Sequence, residues 1–294
     1  MERIFITGAS GQLGSALNRL MAGHERYQVC RTDHTGSMDG TVRTLDITDE
    51  AAVRNAVNEF HPDIIINCAA MTAVDLCESE QANAYRINAQ GPKNLALAAE
   101  QCKAKLVHIS TDYVYDGEKD KPYIETDAVN PVSVYGKTKL EGDLLAAEYC
   151  RKVFILRTAW VYGEGKNFIK TMLRLAETGN KIRVVCDQFG TPTSALELAK
   201  VILFLMKTES YGIYHATCEG STSWYEFALT IFRLAGKDAA VEAIPASGYP
   251  TPARRPKYSV LENKALKERH GYYMPEWTKA LEEYMRLAKQ TGQE

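Results

Sequence analysis

The feature that most restricts the fold of this chain is a glycine-rich turn near its N-terminus, formed by Gly8, Gly11 and Gly14. The turn comes directly after an apolar segment, residues 3–7, and opens residues 12–21, whose leucines recur at the spacing of one helix face. Glycine has no Cβ, so it allows a sharp passage from strand to helix and a close approach of other groups to the backbone. The pattern predicts a strand, a tight turn and a helix as the first unit of a parallel sheet.

Apolar strands and helices continue to alternate as far as about residue 160. Further strands are predicted at residues 27–31, 42–45, 63–67, 105–110 and 153–157. Helices are predicted at residues 50–60, after the capping residue Asp49, and at about 80–102 and 133–149. Segment 63–67 is continuously apolar, as expected of a parallel strand covered on both faces. This order predicts an α/β fold with a Rossmann-like doubly wound parallel sheet.

The alternation becomes irregular in the last part of the chain. Helical patterns are still present around residues 196–206, 224–232 and 277–287. Four prolines between residues 245 and 256 indicate an irregular loop. We therefore predict a Rossmann domain over residues 1–160, with a return segment near 182–200, and a smaller mixed C-terminal lobe over residues 161–294.

Composition argues against several classes of partner. The formal net charge of the 294 residues is -2 and no run is rich in Lys and Arg, which argues against a nucleic acid polymer as ligand. No apolar run is long enough to cross a membrane and the first residues do not read as a signal peptide, so we expect a cytoplasmic protein with no membrane partner. The seven cysteines are scattered and the six histidines lack ligand spacing, so we expect free thiols and no metal site.

In its strand–turn–helix context, the glycine turn indicates a dinucleotide-binding site. The backbone of such a turn can approach a pyrophosphate, and the N-terminus of the following helix stabilises the negative charge. The turn residues expected to contact the cofactor are Gly8, Ser10, Gly11, Gln12, Leu13 and Gly14. Small residues after the fourth strand would let the backbone approach the nicotinamide ribose, and the residues expected there are Ala69, Ala70 and Thr72.

The end of the second strand leaves the choice between NADH and NADPH open. Asp33 is an acid of the kind that binds the ribose hydroxyls of NAD, whereas Arg31 suits the 2′-phosphate of NADP. A solvated strand end is an equal alternative for Asp33. Asp46, followed by Ile47, ends the third strand at the same edge of the sheet. Its carboxylate would bind the adenine amino group or cap a helix, and the sequence supports both equally.

Tyr135 and Lys139 form a candidate catalytic pair. They are four residues apart in the helix predicted at 133–149, so they share one face with roughly 6 Å between their Cβ atoms. A tyrosine titrates at about pH 10, too high for efficient acid–base work at neutral pH. A nearby ammonium and an oxidised nicotinamide ring would lower the pKa of Tyr135. We expect Tyr135 to donate a proton to a carbonyl oxygen and Lys139 to hold the nicotinamide ribose.

A hydroxyl at the end of the fifth strand is expected to polarise that carbonyl. Thr111 is the first candidate and Ser110 the second, since both lie at the same edge of the sheet as the cofactor turn. Asn88 lies inside the helix predicted at 80–102. Its amide would anchor a water relay to Lys139 or face solvent, and the sequence does not choose between them.

Five segments also carry a family resemblance. They are residues 8–14, 72–75, 110–117, 134–139 and 157–163. The combination of Ser-Thr-Asp-Tyr-Val-Tyr-x-Gly with Arg-Thr-Ala-Trp-Val-Tyr-Gly is far more specific than any single segment. Together they resemble the dTDP-4-dehydrorhamnose reductase family of the extended short-chain dehydrogenase/reductases, over nearly the whole chain.

The resemblance implies a reaction and a set of substrate contacts. NADPH or NADH would deliver hydride to C4 of the nucleotide sugar dTDP-4-dehydro-6-deoxy-L-mannose, giving dTDP-L-rhamnose. Tyr135 would protonate the new alkoxide, and Thr111 matches the carbonyl-side hydroxyl of the family. The implied sugar pocket consists of Val74, Asp75, Asp112, Tyr113 and Trp160, with plain core packing as the alternative for Trp160. Candidates for the nucleotide end are Asn167, Gln188 and Arg255.

One departure from the family and several alternatives remain. The family often has Arg-Pro-x-Asn-Ser where this chain has Tyr258 in place of the Asn, which puts that nucleotide contact in doubt. Ligands for magnesium cannot be assigned, and a homodimer is left open. Alternative functions are another nucleotide-sugar reductase, epimerase or dehydratase, and a non-catalytic regulatory subunit that resembles the one of methionine adenosyltransferase.

Overall fold

A seven-stranded parallel sheet forms the centre of the computed structural model, which describes residues 1–291. The strands are β1 Glu2–Thr7, β2 Tyr27–Asp33, β3 Arg43–Thr44, β4 Ile64–Asn67, β5 Lys105–Thr111, β6 Val153–Thr158, β7 Val161–Tyr162, β8 Ile182–Val185, β9 Phe189–Gly190, β10 Thr193–Ser194, β11 Gly212–His215, β12 Thr222–Ser223 and β13 Val241–Ile244. The order across the central sheet is β11-β6-β5-β4-β1-β2-β3. This parallel order confirms the predicted Rossmann-like fold.

Helices cover both faces of the sheet. They are α1 Gln12–Met21, α2 Glu50–Phe60, α3 Val74–Ser79, α4 Gln81–Tyr85, α5 Gly91–Cys102, α6 Val134–Tyr149, α7 Phe168–Ala176, α8 Ala195–Leu205, α9 Trp224–Ala235, α10 Lys264–His270 and α11 Trp277–Thr291. Alternate residues of β1 enter different cores, because successive side chains of a strand point to opposite faces. Ile4 and Ile6 join the core under α1 and α8, whereas Phe5 joins the core under α2, α5 and α6.

The helix predicted at 80–102 is in fact interrupted. It consists of α4, a π-helical turn over Arg86–Gln90, and α5, and it is preceded by the short helix α3, which the sequence pattern did not predict. Pro92 at the start of α5 has no N–H to donate, which favours a local break in the regular helical hydrogen bonds. The turn carries Asn88 into the interior, where its side chain is fully buried. The prediction of Asp49 as the cap of α2 is confirmed, since its carboxylate accepts the N–H of Ala52 at 3.0 Å.

The chain returns to the central sheet later than the segment 182–200 suggested. Strand β8 pairs with β13 outside the central sheet, whereas α8 packs against α1 and β11 pairs in parallel with β6 as the edge strand. The sequence pattern missed β11, which is only four residues long. The rest of the C-terminal part forms three small two-stranded sheets and helices α7 and α9–α11.

Two further expectations concern the chain as a whole. All seven cysteines are free thiols. Between residues 1 and 291 we find no helix with the length and apolar character needed to cross a membrane.

Candidate active site

The glycine turn is packed directly against the end of β4. Gly8 has φ +65°, and a Cβ there would lie 2.6 Å from the backbone nitrogen of Ala69. A Cβ at Gly14 would lie 2.4 Å from the carbonyl oxygen of Gly8. Only glycine fits these two positions, because real Cβ atoms do not approach backbone atoms so closely. The turn therefore leaves its backbone open along a cleft at the carboxyl ends of the strands.

The structure places Asp33, and not Arg31, in this cleft. The carboxylate of Asp33 accepts the backbone N–H of Ser10 at 2.9 Å and that of His34 at 2.7 Å. Arg31 instead donates through Nε to the side chain of Asn18 at 3.0 Å, and it borders a separate surface depression. Of the two residues that left the choice between NADH and NADPH open, Asp33 is therefore the one that faces the cleft.

Six other residues expected at the cofactor line the same cleft. Those residues are Gly8, Gly11, Asp46, Ile47, Ala69 and Ala70, and His34 and Arg86 join them without having been predicted. Asp46 does not cap a helix, since that role belongs to Asp49; its carboxylate accepts the N–H of Thr48 at 2.8 Å. Sequence reasoning missed Arg86 because it lies far along the chain, on the π-helical turn.

Eight residues predicted at the cofactor are not among those lining the cleft: besides Gly14, Arg31, Tyr135 and Lys139, they are Ser10, Gln12, Leu13 and Thr72. Leu13 is 7% exposed and belongs to the core, so only its backbone could face a phosphate. Ser10 supplies the N–H that Asp33 accepts. Gln12 borders a different cavity beside α11, and Thr72 is exposed to solvent.

The start of α6 and the end of β5 bring the candidate catalytic residues together. Ser133 caps α6 by accepting the N–H of Gly136 at 3.1 Å. A Cβ at Gly136 would lie 2.2 Å from the carbonyl oxygen of Tyr113, so glycine lets the helix approach the turn that follows β5. The ring of Tyr135 meets that of Tyr113 edge-on at 5.6 Å, and burial alone would raise its pKa while the hydroxyl of Thr111 opposes that effect. Thr111 and Tyr135 are therefore neighbours.

The pKa of Tyr135 is raised, whereas the sequence predicted that it would be lowered. Burial is the main cause, and it outweighs the hydrogen bond with Thr111. Burial also lowers the pKa of Lys139 to about 8, with the carboxylate of Asp143 opposing the change. Nζ of Lys139 donates to the carbonyl oxygen of Ile109 at 2.6 Å. The prediction is wrong for the chain by itself, because burial disfavours the phenolate and the nearby charges of Asp112 and Asp143 raise the pKa of Tyr135 further.

The two polar residues left open by the sequence take defined places. Ser110 donates to Asp143 at 2.8 Å in the interior, so Thr111 is the strand-end hydroxyl beside Tyr135. Asn88 does not face solvent: its Oδ1 accepts the N–H of Met71 at 2.8 Å, and its Nδ2 donates to the carbonyl oxygen of Met71 and to Thr138 at 3.2 Å.

Asp112, next to Thr111, is a buried acid. It is 2% exposed, and one carboxylate oxygen accepts from Thr111 at 3.0 Å. The other forms no hydrogen bond of normal geometry, although the hydroxyl of Ser259 is near enough to lower the pKa of this carboxyl. Burial raises the pKa of Asp112 to about 6. An orphaned oxygen of this kind is costly in a folded protein and often marks a place where a ligand supplies the missing partner.

Asp75 and Arg255 join the two parts of the chain beside this acid. Two nitrogens of Arg255 donate to the two oxygens of Asp75 at 3.0 and 2.8 Å, a bidentate pair. Val74 begins the short helix that carries Asp75. Arg255 and Gln188 line one cavity, together with residues that the sequence analysis did not single out: Asp116, Glu118, Ala246, Tyr249, Pro250, Thr251, Ala253, Arg254 and Lys257.

Trp160 and Asn167 are engaged in packing contacts. Trp160 has φ +47°, a strained value for a tryptophan, and its ring stacks on that of Trp224 with centroids 3.5 Å apart. Asn167 caps α7 and also donates to the carbonyl oxygen of Gly163 and to Tyr284. The structure therefore does not bring Asn167 to the cavity that holds Gln188 and Arg255.

Tyr258 lies outside the residues lining that cavity. It packs against the small core cluster of Val114, Tyr115, Tyr123 and Leu261. Its backbone forms a bridge with Phe189, and its ring fills an apolar site that an asparagine side chain would not fill.

Fold and site together define a class of protein. A doubly wound parallel sheet, a glycine turn open to a cleft, and a half-buried Tyr135 with a buried Lys139 at the same sheet edge are the features of a Rossmann-fold dinucleotide-dependent oxidoreductase. The chain belongs to the family described as the RmlD substrate binding domain, whose model matches residues 1–289.

Named relatives agree with this assignment. A curated dTDP-4-dehydrorhamnose reductase of Aggregatibacter actinomycetemcomitans is 41% identical over 294 residues, which cover 96% of this chain and 97% of the relative. The solved structure of a dTDP-4-dehydrorhamnose reductase from Clostridium acetobutylicum superposes with a TM-score of 0.93 at 48% identity, covering 98% of this chain and 99% of that one. The Bacillus anthracis reductase, solved in complex with NADP, gives a TM-score of 0.92 at 40% identity and covers 97% and 99%.

Proposed function

We propose that this chain is an NAD(P)H-dependent reductase that converts dTDP-4-dehydro-6-deoxy-L-mannose to dTDP-L-rhamnose. The observation that carries the proposal is the meeting of Thr111 and Tyr135 at the sheet edge that also opens the cofactor cleft, with Lys139 one helical turn behind. The relatives that bear this name match the chain over nearly its full length.

The cleft fits a dinucleotide. Glycine at positions 8 and 14, where a Cβ would strike the backbone, keeps the turn tight. The N–H groups of Ala9, Ser10 and Gly11 already donate within the protein, so the N-terminus of α1 is the part that would face a pyrophosphate. Asp33 offers a carboxylate where the adenosine ribose would lie, and Ala69 and Ala70 leave room at the end of β4. The bound nicotinamide would supply the hydride; the protein residues do the rest of the chemistry.

Tyr135 is in the right state to act as the acid. Burial raises its pKa, so the phenol is protonated at neutral pH and has a proton to donate when a carbonyl becomes an alkoxide. Thr111 would hold the same oxygen through its hydroxyl, and Lys139 would place an ammonium where charge develops on the phenolate. A preorganised donor set of this kind acts without reorganisation at the moment of reaction.

The substrate would extend from Tyr135 and Thr111 toward the C-terminal lobe. Its sugar would lie near Asp112 and the Asp75–Arg255 pair, and its nucleotide would enter the cavity that Gln188 and Arg255 line. Arg254, Arg255 and Lys257 give that cavity cationic groups that suit a diphosphate. Trp160 is proposed to contact the sugar through its exposed edge. We also propose a cytoplasmic location and a homodimer, the latter to be tested by light scattering.

The direct test is cofactor oxidation by the purified protein. The 4-keto-L-sugar is generated in situ from dTDP-glucose, its presence is verified, and the reaction is run with NADH and NADPH separately. The proposal expects oxidation coupled to formation of dTDP-L-rhamnose. No oxidation in the presence of the keto sugar would contradict it and would favour another keto sugar or a non-catalytic regulatory role.

A further inference from the structure

Asp143 lies in the interior behind the catalytic residues, one helical turn after Lys139 on α6. It is 2% exposed, and its Oδ2 accepts from Ser110 at 2.8 Å and from Nε of Arg157 at 3.4 Å. Its Oδ1 lies 3.5 Å from Nε2 of His108. A carboxylate this deeply buried is tolerated only when donors and opposite charges surround it.

The hydrogen bonds fix the tautomer of His108. Oδ1 of Asn67 accepts from Thr7 at 2.8 Å and from the N–H of Ala69 at 3.1 Å, so its Nδ2 is the group that faces Nδ1 of His108 at 3.1 Å. Nδ1 is therefore the acceptor, and the ring proton lies on Nε2, which is 3.5 Å from Oδ1 of Asp143 without forming a hydrogen bond of normal geometry. Burial, together with the charge of Lys139, lowers the pKa of His108 to about 4, so the ring is neutral.

Asp143 is thus the counter-charge for two buried cations. Lys139 is 2% exposed and Arg157 is 3% exposed, and both stabilise the charged form of Asp143. Two other titratable groups lie near Asp143 and Lys139: Tyr135 on α6 and the neutral His108 on β5. Asp112, from the turn after β5, and Cys77, from α3, lie near Tyr135. In the absence of Asp143, two buried positive charges would lose the carboxylate that offsets them.

We propose that Asp143 is a positioning residue for the reduction: its buried carboxylate, held by Ser110 and Arg157 one helical turn from Lys139, keeps the Lys139 ammonium charged beside the end of β5. The inference rests on the proposed function only in that Lys139 is taken as the group that holds the nicotinamide ribose. Asp143 touches neither cofactor nor substrate, so its effect passes through Lys139.

The test measures NADH binding by nicotinamide fluorescence between pH 6 and 9, with no turnover involved. In the wild type, affinity is expected to fall as the pH rises through about 8, where Lys139 loses its proton. In Asp143→Asn this fall is expected at least about one pH unit lower, with NADH bound about tenfold more weakly at pH 8. The pH at which NADH affinity falls is called the pH limit below. Asp143→Glu, which keeps the negative charge, is expected to restore the pH limit of the wild type.

Two further variants separate this role from a merely structural one. Ser110→Ala removes a hydrogen bond to the same carboxylate but no charge, so its pH limit is expected to match the wild type. Arg157→Gln removes the competing cation, so the limit is expected to move to higher pH; this variant decides the question if Asp143→Asn does not fold. An unchanged pH limit in folded Asp143→Asn, or an unchanged one in Arg157→Gln, overturns the inference. Absence of sugar reduction with normal NADH binding would instead count against the proposed function.

Discussion

The chemistry of single residues here is governed by burial. Tyr135 and Lys139 are both withdrawn from water, which raises the pKa of the phenol and lowers that of the ammonium to about 8. Each shift favours the neutral form, because an ion loses hydration when it is buried. The site therefore holds a protonated tyrosine, suited to donating a proton, beside a lysine that stays charged at neutral pH.

Replacement of Tyr135 by Phe tests the proton donor. Tyr135→Phe removes only the hydroxyl, so we expect turnover to fall by about 10²–10⁴-fold, the usual contribution of a general acid. NADPH affinity is expected to change little, since the ring and its contact with Tyr113 remain. Steady-state kinetics and a fluorescence titration measure the two quantities. A variant with wild-type turnover would rule out this mechanism.

The cofactor preference can be tested at Asp33. Asp33→Ser removes the carboxylate that faces the cleft, so we expect NADH to bind about tenfold more weakly, the loss of one charged hydrogen bond. NADPH should gain relative to NADH, because a carboxylate repels a 2′-phosphate. Dissociation constants for both cofactors give the ratio.

Arg31→Ala is the matched control for that experiment. Arg31 is held by Asn18 outside the cleft, so its removal is expected to leave the ratio of the two affinities unchanged. A selective loss of NADPH affinity in Arg31→Ala would show that this arginine turns toward the 2′-phosphate when the cofactor binds.

Among the elements, the contact between α6 and the π-helical turn determines where Lys139 lies. A Cβ at Gly142 would be 2.1 Å from the carbonyl oxygen of Asn88, so the two segments touch backbone to backbone. Asn88 then reaches across to Thr138 and fixes the register of α6 against the turn. A regular helix at 86–90 would place these groups differently, which explains why a helical pattern alone could not locate Asn88.

Gly142→Ala tests this contact. The added methyl must push the helix and the turn apart, so we expect a loss of about 1–3 kcal/mol of unfolding free energy and a lower turnover. Urea unfolding measures the first and kinetics the second. Leu144→Ala, on the exposed side of the same helix, serves as the control and is expected to change both only slightly. Equal unfolding free energies of Gly142→Ala and the wild type would show that α6 and the π-helical turn can move apart without loss of stability.

At the scale of the whole molecule, buried polar groups connect the two parts of the chain. Tyr115 accepts from Arg157 at 2.9 Å and lies 2.7 Å from Nε2 of His215, whose Nδ1 faces the carbonyl oxygen of Glu262. Because a carbonyl only accepts, Nδ1 carries the proton and Nε2 accepts from Tyr115. Burial lowers the pKa of His215 to about 3, so this junction depends on a neutral ring.

Stability is therefore expected to depend on pH. The pKa values of His108 and His215 in the folded chain, about 4 and about 3, lie below the ordinary value of 6.5. The unfolded chain binds more protons below pH 6.5, so stability present above that pH is lost as the pH falls toward 4. Between pH 7.5 and 5 the loss is expected to be about 2 kcal/mol for each histidine.

Urea unfolding at several pH values measures this dependence. His215→Gln should be less stable than the wild type at pH 7.5 but show a smaller loss on acidification. His24→Gln alters an exposed histidine and is expected to keep the wild-type slope. If His215→Gln kept the full slope, the buried imidazole would not be its source.

The sequence by itself determined the fold class and the elements that carry the chemistry. Strand and helix periods, and glycines at positions where a Cβ would strike the backbone, are local properties that a sequence displays directly. The Tyr135–Lys139 spacing and the acid at the end of β2 are equally local. Four-residue strand β11 and the extent of the π-helical turn over Arg86–Gln90 were not predictable in this way, because they depend on pairing with β6 and packing against α6.

Tertiary structure alone decided which polar groups lie close together and which are buried. It turned Arg31 away from the cleft and Asp33 into it, raised the pKa of Tyr135, and gathered His108, Asp143 and Arg157 from three elements into one buried cluster. Burial and the distances between charges arise from segments far apart in the chain. The pKa values of side chains depend on burial and on the distances between charges, so they could be determined only from the folded molecule.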